Sequence, residues 1–232
     1  MRSRIGIVII AIVAVILLGF AAFSAYIWFS GGAGEPTRET VTETVEPAEP
    51  RSVVYTVDNE RSEARFLIDE VLRGEDKTVV GTTDQVAGSI AIGFEPPDVE
   101  IGEFEINLRA ISTDDEMRDR SIRTLILETN KDEFEFSSFR PTTISGVPDS
   151  INVGDTLDLV VTGELTVRDV TITTDFEMTI EIASEREIRA TAATVVEWEE
   201  LEITIPYVGD DSSVQAVDDE VRLEMEVVAT AR

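Results

Sequence analysis

From about Ser52 onward the chain alternates apolar and polar residues with period two, the signature of strands with one face in a core. "ARFLIDEV" sets Ala64, Phe66 and Ile68 on one face, and "VAGSIAIGF" does the same with Gly88, Ile90, Ile92 and Phe94. In "EFEINLRAI", Phe104, Ile106, Leu108 and Ala110 oppose Glu105, Asn107 and Arg109. "DEFEFSSF" offers Phe134 and Phe136, and "TLDLVVTGELTV" offers Leu157, Leu159, Val161, Gly163, Leu165 and Val167. "VTITTDFEMTIEI" brings Val170, Ile172, Phe176, Met178, Ile180 and Ile182, before "EIRATAATVVEW" and "EVRLEMEVVATA" close the series. Eight such segments, several of nine to twelve residues, exceed the usual strand length of about 5–6. Many strands joined by short turns fit a sandwich or a closed barrel. Long tilted strands favour the barrel, and eight of them enclose room for side chains or one small ligand. The small inward residues Ala64, Gly88, Ala110 and Gly163 are expected to leave space inside.

One stretch breaks the alternation. "STDDEMRDRSIRTLILETN" (Ser112 to Asn130) has helical spacing in Met117, Ile122, Leu125, Ile126 and Thr129. Thr113 and Glu116 fit a capping box, with Asp114, Asp115 and Glu116 at the positive end of the helix dipole. A short helix or helical loop across one end of the barrel is expected, with Arg118 and Asp119 at the cavity mouth, pairing locally or capping neighbouring backbone.

At the N-terminus, Ile5 to Phe29 carry no charge. That run is long enough to cross a hydrocarbon core of about 30 Å. A cleaved signal peptide is the rival reading, but its apolar region is usually only about 7–15 residues long. Tyr26, Trp28 and Phe29 suit a membrane–water interface, so an uncleaved anchor is expected. Arg2 and Arg4 place residues 1–4 in the cytoplasm and the rest outside. Residues 30–51, rich in Thr, Pro and Glu, read as a flexible acidic linker spanning on the order of 25 Å. Residues 52–232 form one domain.

Charge narrows the function. With 19 Lys+Arg against 47 Asp+Glu, the net charge is −28, which argues against nucleic acid as a partner. Such a surface suits a salty environment or an ordinary acidic exported protein equally well. The chain has no Cys and no His, which removes disulfides, thiol nucleophiles, Ser-His-Asp catalysis and the usual zinc ligands. Few catalytic options remain, and they are chiefly carboxylates. Asp119, beside Arg118 and Arg123, is the best single candidate, but most acids fall on the outward parity of strands.

Three further stretches join Thr113 and Arg118-Asp119 to complete a resemblance. They are "YTVDNERSEARFLI", "ETNKDEFEFSSFRPT" and "GELTVRDVT". Together they resemble the YceI-like family of polyisoprenoid-binding proteins over about Tyr55 to Ala231. Arg61 stands where His is common, Phe134 and Glu135 where the family has Tyr-Pro, and Asp169 in place of a Gly. The resemblance implies a lipocalin-like, eight-stranded antiparallel up-and-down barrel that holds a polyisoprenoid or isoprenoid quinone in an apolar cavity.

The expected function is therefore membrane-tethered, extracytoplasmic lipid binding for transport or storage, not catalysis. The alternative is an extracellular interaction or stress-protective module with a filled core. The lining expected for the cavity is Phe66, Ile68, Ile90, Ile106, Leu108, Phe136, Phe139, Leu165, Phe176 and Met178. Each also fits plain core packing. No metal or cofactor is implied beyond the lipid. The partners are the lipid and the membrane.

Overall fold

The computed structural model describes residues 2–32, 34–49, 51–206, 208–209 and 212–231. Met1 of the expected cytoplasmic end, Ala33 and Pro50 of the expected linker, and Arg232 of the expected domain lie outside the described residues. Helix α1 spans Arg2–Ser30 and is long and apolar enough over Ile12–Ser30 to cross a membrane. The strands that follow are β1 (Val53–Val57), β2 (Glu63–Leu72), β3 (Glu75–Thr83), β4 (Val86–Ala87), β5 (Ser89–Phe94), β6 (Pro97–Ile101) and β7 (Phe104–Asn107). Helix α2 (Glu116–Ser121) precedes β8 (Phe136–Ser145), β9 (Thr156–Val167), β10 (Val170–Ser184), β11 (Glu187–Glu197), β12 (Val214–Val217) and β13 (Glu220–Ala231).

All these strands join one antiparallel sheet, ordered β4-β7-β8-β9-β10-β11-β13-β1-β5-β6, with β2 also on β13 and β3 on β2. Strands β3, β4 and β5 are almost continuous in sequence, so the ends of this path are drawn back toward each other. The sheet curls into a half-barrel. Thirteen strands replace the eight expected among the described residues. Two of the extra ones were hidden for plain reasons. The expected segment 86–94 is cut in two at Gly88. In β3 the buried side of the strand holds Val79, Gly81 and Thr83, too few apolar residues to announce a strand.

The alternation works as expected along the long strands. On β9 the odd positions are buried from Leu157 to Val167, and on β10 Met178, Ile180 and Ile182 are buried. Tyr55, Ile90, Ile92, Ile180, Ile182, Ile188 and Ala229 are wholly inaccessible, making one end of the half-barrel solid. Each buried Ile there contributes about 1.5–3 kcal/mol.

The expected space beside the inward glycines is occupied. A Cβ on Gly88 would sit 2.6 Å from the Phe104 ring, and one on Gly163 would sit 2.5 Å from Phe139 Cζ. These glycines exist to admit aromatic rings, and the rings fill the room that the sequence had promised to a ligand.

In residues 30–51, read as a coil, the described residues after Ser30 carry no helix or strand. They are nonetheless laid along the barrel as a strap. Thr37 donates from its N–H and hydroxyl to Glu135 at 2.8 and 2.5 Å. Arg38 donates twice to Glu105, at 2.8 and 2.6 Å, and its guanidinium lies 3.7 Å from the centre of the Phe136 ring. Farther on, Val45 N–H donates to Ser89 Oγ and Ala48 N–H to Glu100 Oε1.

Candidate functional site

Cross-strand rows show where the interior opens. Leu157, Ile180, Ala190 and Val227 stand opposite one another across β9, β10, β11 and β13, and all are buried. Four residues along each strand, the partners are Val161 with Phe176, and Thr194, Leu223, Phe66 and Gly81 in register. Here Val161 stays buried, but Phe176, Leu223 and Phe66 are only partly so. Ile172, Val221, Ile126 and Leu127 are likewise partly exposed while packed on the core. One face of one sheet thus runs from a dry core to an apolar mouth.

The residues expected to line a cavity divide into three groups. Ile90, Phe139, Leu165 and Met178 belong to the dry core. Phe66, Ile68, Ile106, Leu108 and Phe176 are partly exposed, and Ile106, Leu108 and Phe176 pack on the core cluster. Phe139 and Phe176 join the two groups edge to face, with centroids 4.7 Å apart. Phe136 does not belong with them. It pairs with Asn107 on the outer face of β8, beneath Arg38, whereas Phe139 pairs with Phe104 on the inner face. Positions 136 and 139 differ in parity, and a period-two strand cannot turn both inward. That signal was present in the sequence.

The stretch 112–130 closes over this end, with corrections to its expected details. The N-cap is Asp115, which accepts from Arg118 N–H at 2.8 Å, and not Thr113. Thr113 instead donates its N–H and hydroxyl to Asp119 Oδ1, at 2.8 and 2.6 Å. Arg118 and Asp119 are therefore not a pair. Arg118 binds Asp114 at 2.5 Å and reaches Glu70 of β2 at 3.4 Å, which holds α2 against that strand. Asp119 is buried and committed to backbone and hydroxyl donors, as a structural carboxylate would be.

After α2 the backbone widens into a π turn over Ile122–Ile126, where Leu127 N–H donates to Ile122 O at 2.8 Å. Such turns occur often at functional sites. It is pinned from two sides. Arg168, at the β9–β10 turn and with φ 56, donates to Ile126 O at 3.2 Å. Arg123 is buried and gives its hydrogen bonds to the backbone carbonyls of Gly31, Gly32 and Ile111. Burial pushes its guanidinium below its ordinary pKa, against the pull of Asp119.

Sequence reasoning missed Glu135. Its carboxylate is wholly buried, hydrogen bonded by Thr37 and Asn107, and 3.1 Å from Arg109. Burial alone would raise its pKa; the bonds from Thr37 and Asn107 and the charge of Arg109 outweigh it and hold the carboxyl below the usual range. The only hint was its place where the resembled family has Pro. A depression of about 610 Å³ lies elsewhere, on the outer face beside Arg65, Asp158, Glu177, Glu224 and Glu226. Among the described residues no group of three or more acidic side chains is placed to hold a metal ion.

The family model of the YceI-like domain matches residues 55–229. Among solved structures the chain is similar to a polyisoprenoid binding domain from Saccharophagus degradans implicated in plant cell wall breakdown. That match has 13% identity and a TM-score of 0.59, covering 78% of this chain and 99% of that one. It is also similar to BcnA of Burkholderia cenocepacia, with 16% identity, a TM-score of 0.58, and 75% and 99% covered. The YCEI protein of Campylobacter jejuni matches with 12% identity, a TM-score of 0.51, and 66% and 84% covered. No curated relative matches the chain.

Proposed function

The chain belongs to the YceI-like domain family, and we propose that it binds a polyisoprenoid or isoprenoid quinone at the apolar mouth of its half-barrel while α1 anchors it in a membrane. The observation that carries this reading is the gradient of burial along one inward face. Phe66, Phe176 and Leu223 stay partly exposed, although Leu157, Ile180, Ala190 and Val227, four residues along β9, β10, β11 and β13, are dry. Each isoprenoid CH₂ buried against such side chains contributes about 0.8 kcal/mol before ordering costs, so a long chain needs few polar contacts. An anchor in the bilayer keeps the domain beside the phase where such a lipid dissolves. Arg2 and Arg4 orient it with the barrel outside the cytoplasm. The domain works by binding and not by catalysis, for transport or storage.

Organic extraction of the purified full chain followed by mass spectrometry tests this. We expect isoprenoid in stoichiometric amount, or its uptake when polyprenol is offered. A clean extract with no uptake overturns the reading. It would favour an interaction module with a filled core, for which the Phe104 and Phe139 rings over Gly88 and Gly163 already speak.

A further inference from the structure

The end of α1 is built into the rim of the mouth. Arg120 Nη1 donates to Trp28 O and Gly32 O at 2.7 Å, and its guanidinium stacks 3.8 Å from the centre of the Trp28 ring. Glu116 holds the same guanidinium at 2.8 Å from the other side. Arg123 Nε donates to Gly31 O at 2.7 Å. Arg120 thus caps a carbonyl of the last helical turn, where the dipole is negative, and both cations bind the carbonyls just past the helix end. The backbones touch as well: a Cβ on Gly31 would lie 2.8 Å from Arg120 Cβ and Arg120 O. Ile27 is buried in the contact, while Tyr26 and Phe29 remain exposed. Met117, one turn before Arg120 on α2, is exposed too.

Helix geometry sets the height of this joint. A hydrocarbon core of about 30 Å takes some 20 residues, which beginning at Ile5 ends near Ser24. The remaining turn and a half rises about 9 Å, within the headgroup layer. The residues grasped by Arg120 and Arg123 therefore lie at the lipid surface.

We infer that the barrel is clamped with its mouth against the bilayer surface, by the Arg120 and Arg123 joint and by the strap bound at Glu135 and Glu105. The rim formed by α2, its π turn and the exposed aromatics of α1 is a membrane-facing surface whose partner is the headgroup layer. This rests on the reading of α1 as a membrane anchor and changes the linker from a swinging stalk to a fixed bracket. A lipid passing between bilayer and mouth then need not cross open water.

The chain has no Cys, so single labels are easily placed. Met117→Cys marks the rim. Val153→Cys, exposed in the loop where Gly154 N–H binds Ile182 O, marks the solid end. Each full-length variant, carrying a bimane label, is reconstituted into phosphatidylcholine vesicles containing doxyl-labelled lipid. We expect quenching several-fold stronger at position 117 than at 153. Gly31→Val, which forces the helix off Arg120 without touching the barrel core, should reduce that contrast severalfold. Arg120→Ala serves as a second disruption. Equal quenching of the two labels in the otherwise unchanged chain overturns the inference, and so does a contrast that survives both disruptions. Because quenching reads geometry alone, a protein that carries no isoprenoid still shows the contrast. Loss of the ligand reading and loss of this one are thus separate results.

Discussion

The two ends of the half-barrel share strands, register and alternation, and still differ. At the solid end Ile180, Ile182, Ile188 and Ala229 are dry. At the mouth Phe176, Leu223 and Phe66 occupy the same inward parity and stay partly open. Period two decides which face a residue joins, not how deeply that face is covered. Cover comes from what lies across the opening: close-packed strands at one end, and the pinned stretch 112–130 at the other. The solid end should therefore hold stability, and the mouth should hold exchange.

The largest test of that division is a pair of truncations. Ile180→Ala removes a fully buried side chain and should cost about 3–4 kcal/mol in urea unfolding. Phe176→Ala deletes more atoms but at a half-wet position, and should cost clearly less while weakening retention of bound lipid. Equal costs would erase the distinction between the ends.

Added methyl groups sharpen it next. At Gly163 a Cβ would meet Phe139 Cζ at 2.5 Å and the Arg140 carbonyl at 2.6 Å. The carbonyl is backbone and cannot step aside, so Gly163→Ala should cost about 2 kcal/mol. At Gly81 the obstacles are the Phe66 ring, 2.2 Å away, and Ile111. Both are side chains, and Phe66 borders the mouth. Gly81→Ala should cost less and change lipid uptake more. Thermal melting beside an uptake assay separates the two.

The strap offers a comparison in pH. Glu135 has its carboxyl held below the usual range, so its contribution is complete above its unfolded value of about 4.3 and fades as pH falls through the lower folded value. Glu135→Gln removes charge-assisted bonds and should loosen the strap by about 1.5 kcal/mol at neutral pH. Amide exchange at Thr37 and Arg38 should then be faster than in the unchanged chain. The gap between the two proteins should shrink only in acid below about pH 4. A gap independent of pH would mean that the carboxylate charge does not hold the strap.

These comparisons also show what the sequence could tell. The faces of β9, β10, β11 and β13 were legible because packing obeys parity. The helix of α1 was legible because one long uncharged apolar run marks it. Phe136 was misplaced although its parity against Phe139 already argued otherwise. The cap at Asp115 was missed by two residues, since Thr113 and Asp115 are both good cap residues and only the fold directs Thr113 to Asp119. The strap was illegible for a deeper reason. It is held by single polar contacts to residues 44 to 98 positions away, and such contacts leave no periodic trace.

The smallest expected effect comes from the outer face, which belongs to neither end. Arg65 on β2 donates to Glu224 at 2.7 Å and to Glu226 at 2.9 Å on β13, outside the row of Ala64 and Met225. Its side chain keeps about a third of its exposure, so solvent screens the pair and each long side chain loses freedom by forming it. Arg65→Ala should therefore lower stability by about 0.5 kcal/mol or less, and added salt should erase even that. Melting curves at low and high salt measure it. A loss well above 1 kcal/mol would show that the β2–β13 seam depends on its outer charges, and the mouth at Phe66 would then be held from outside as well as within.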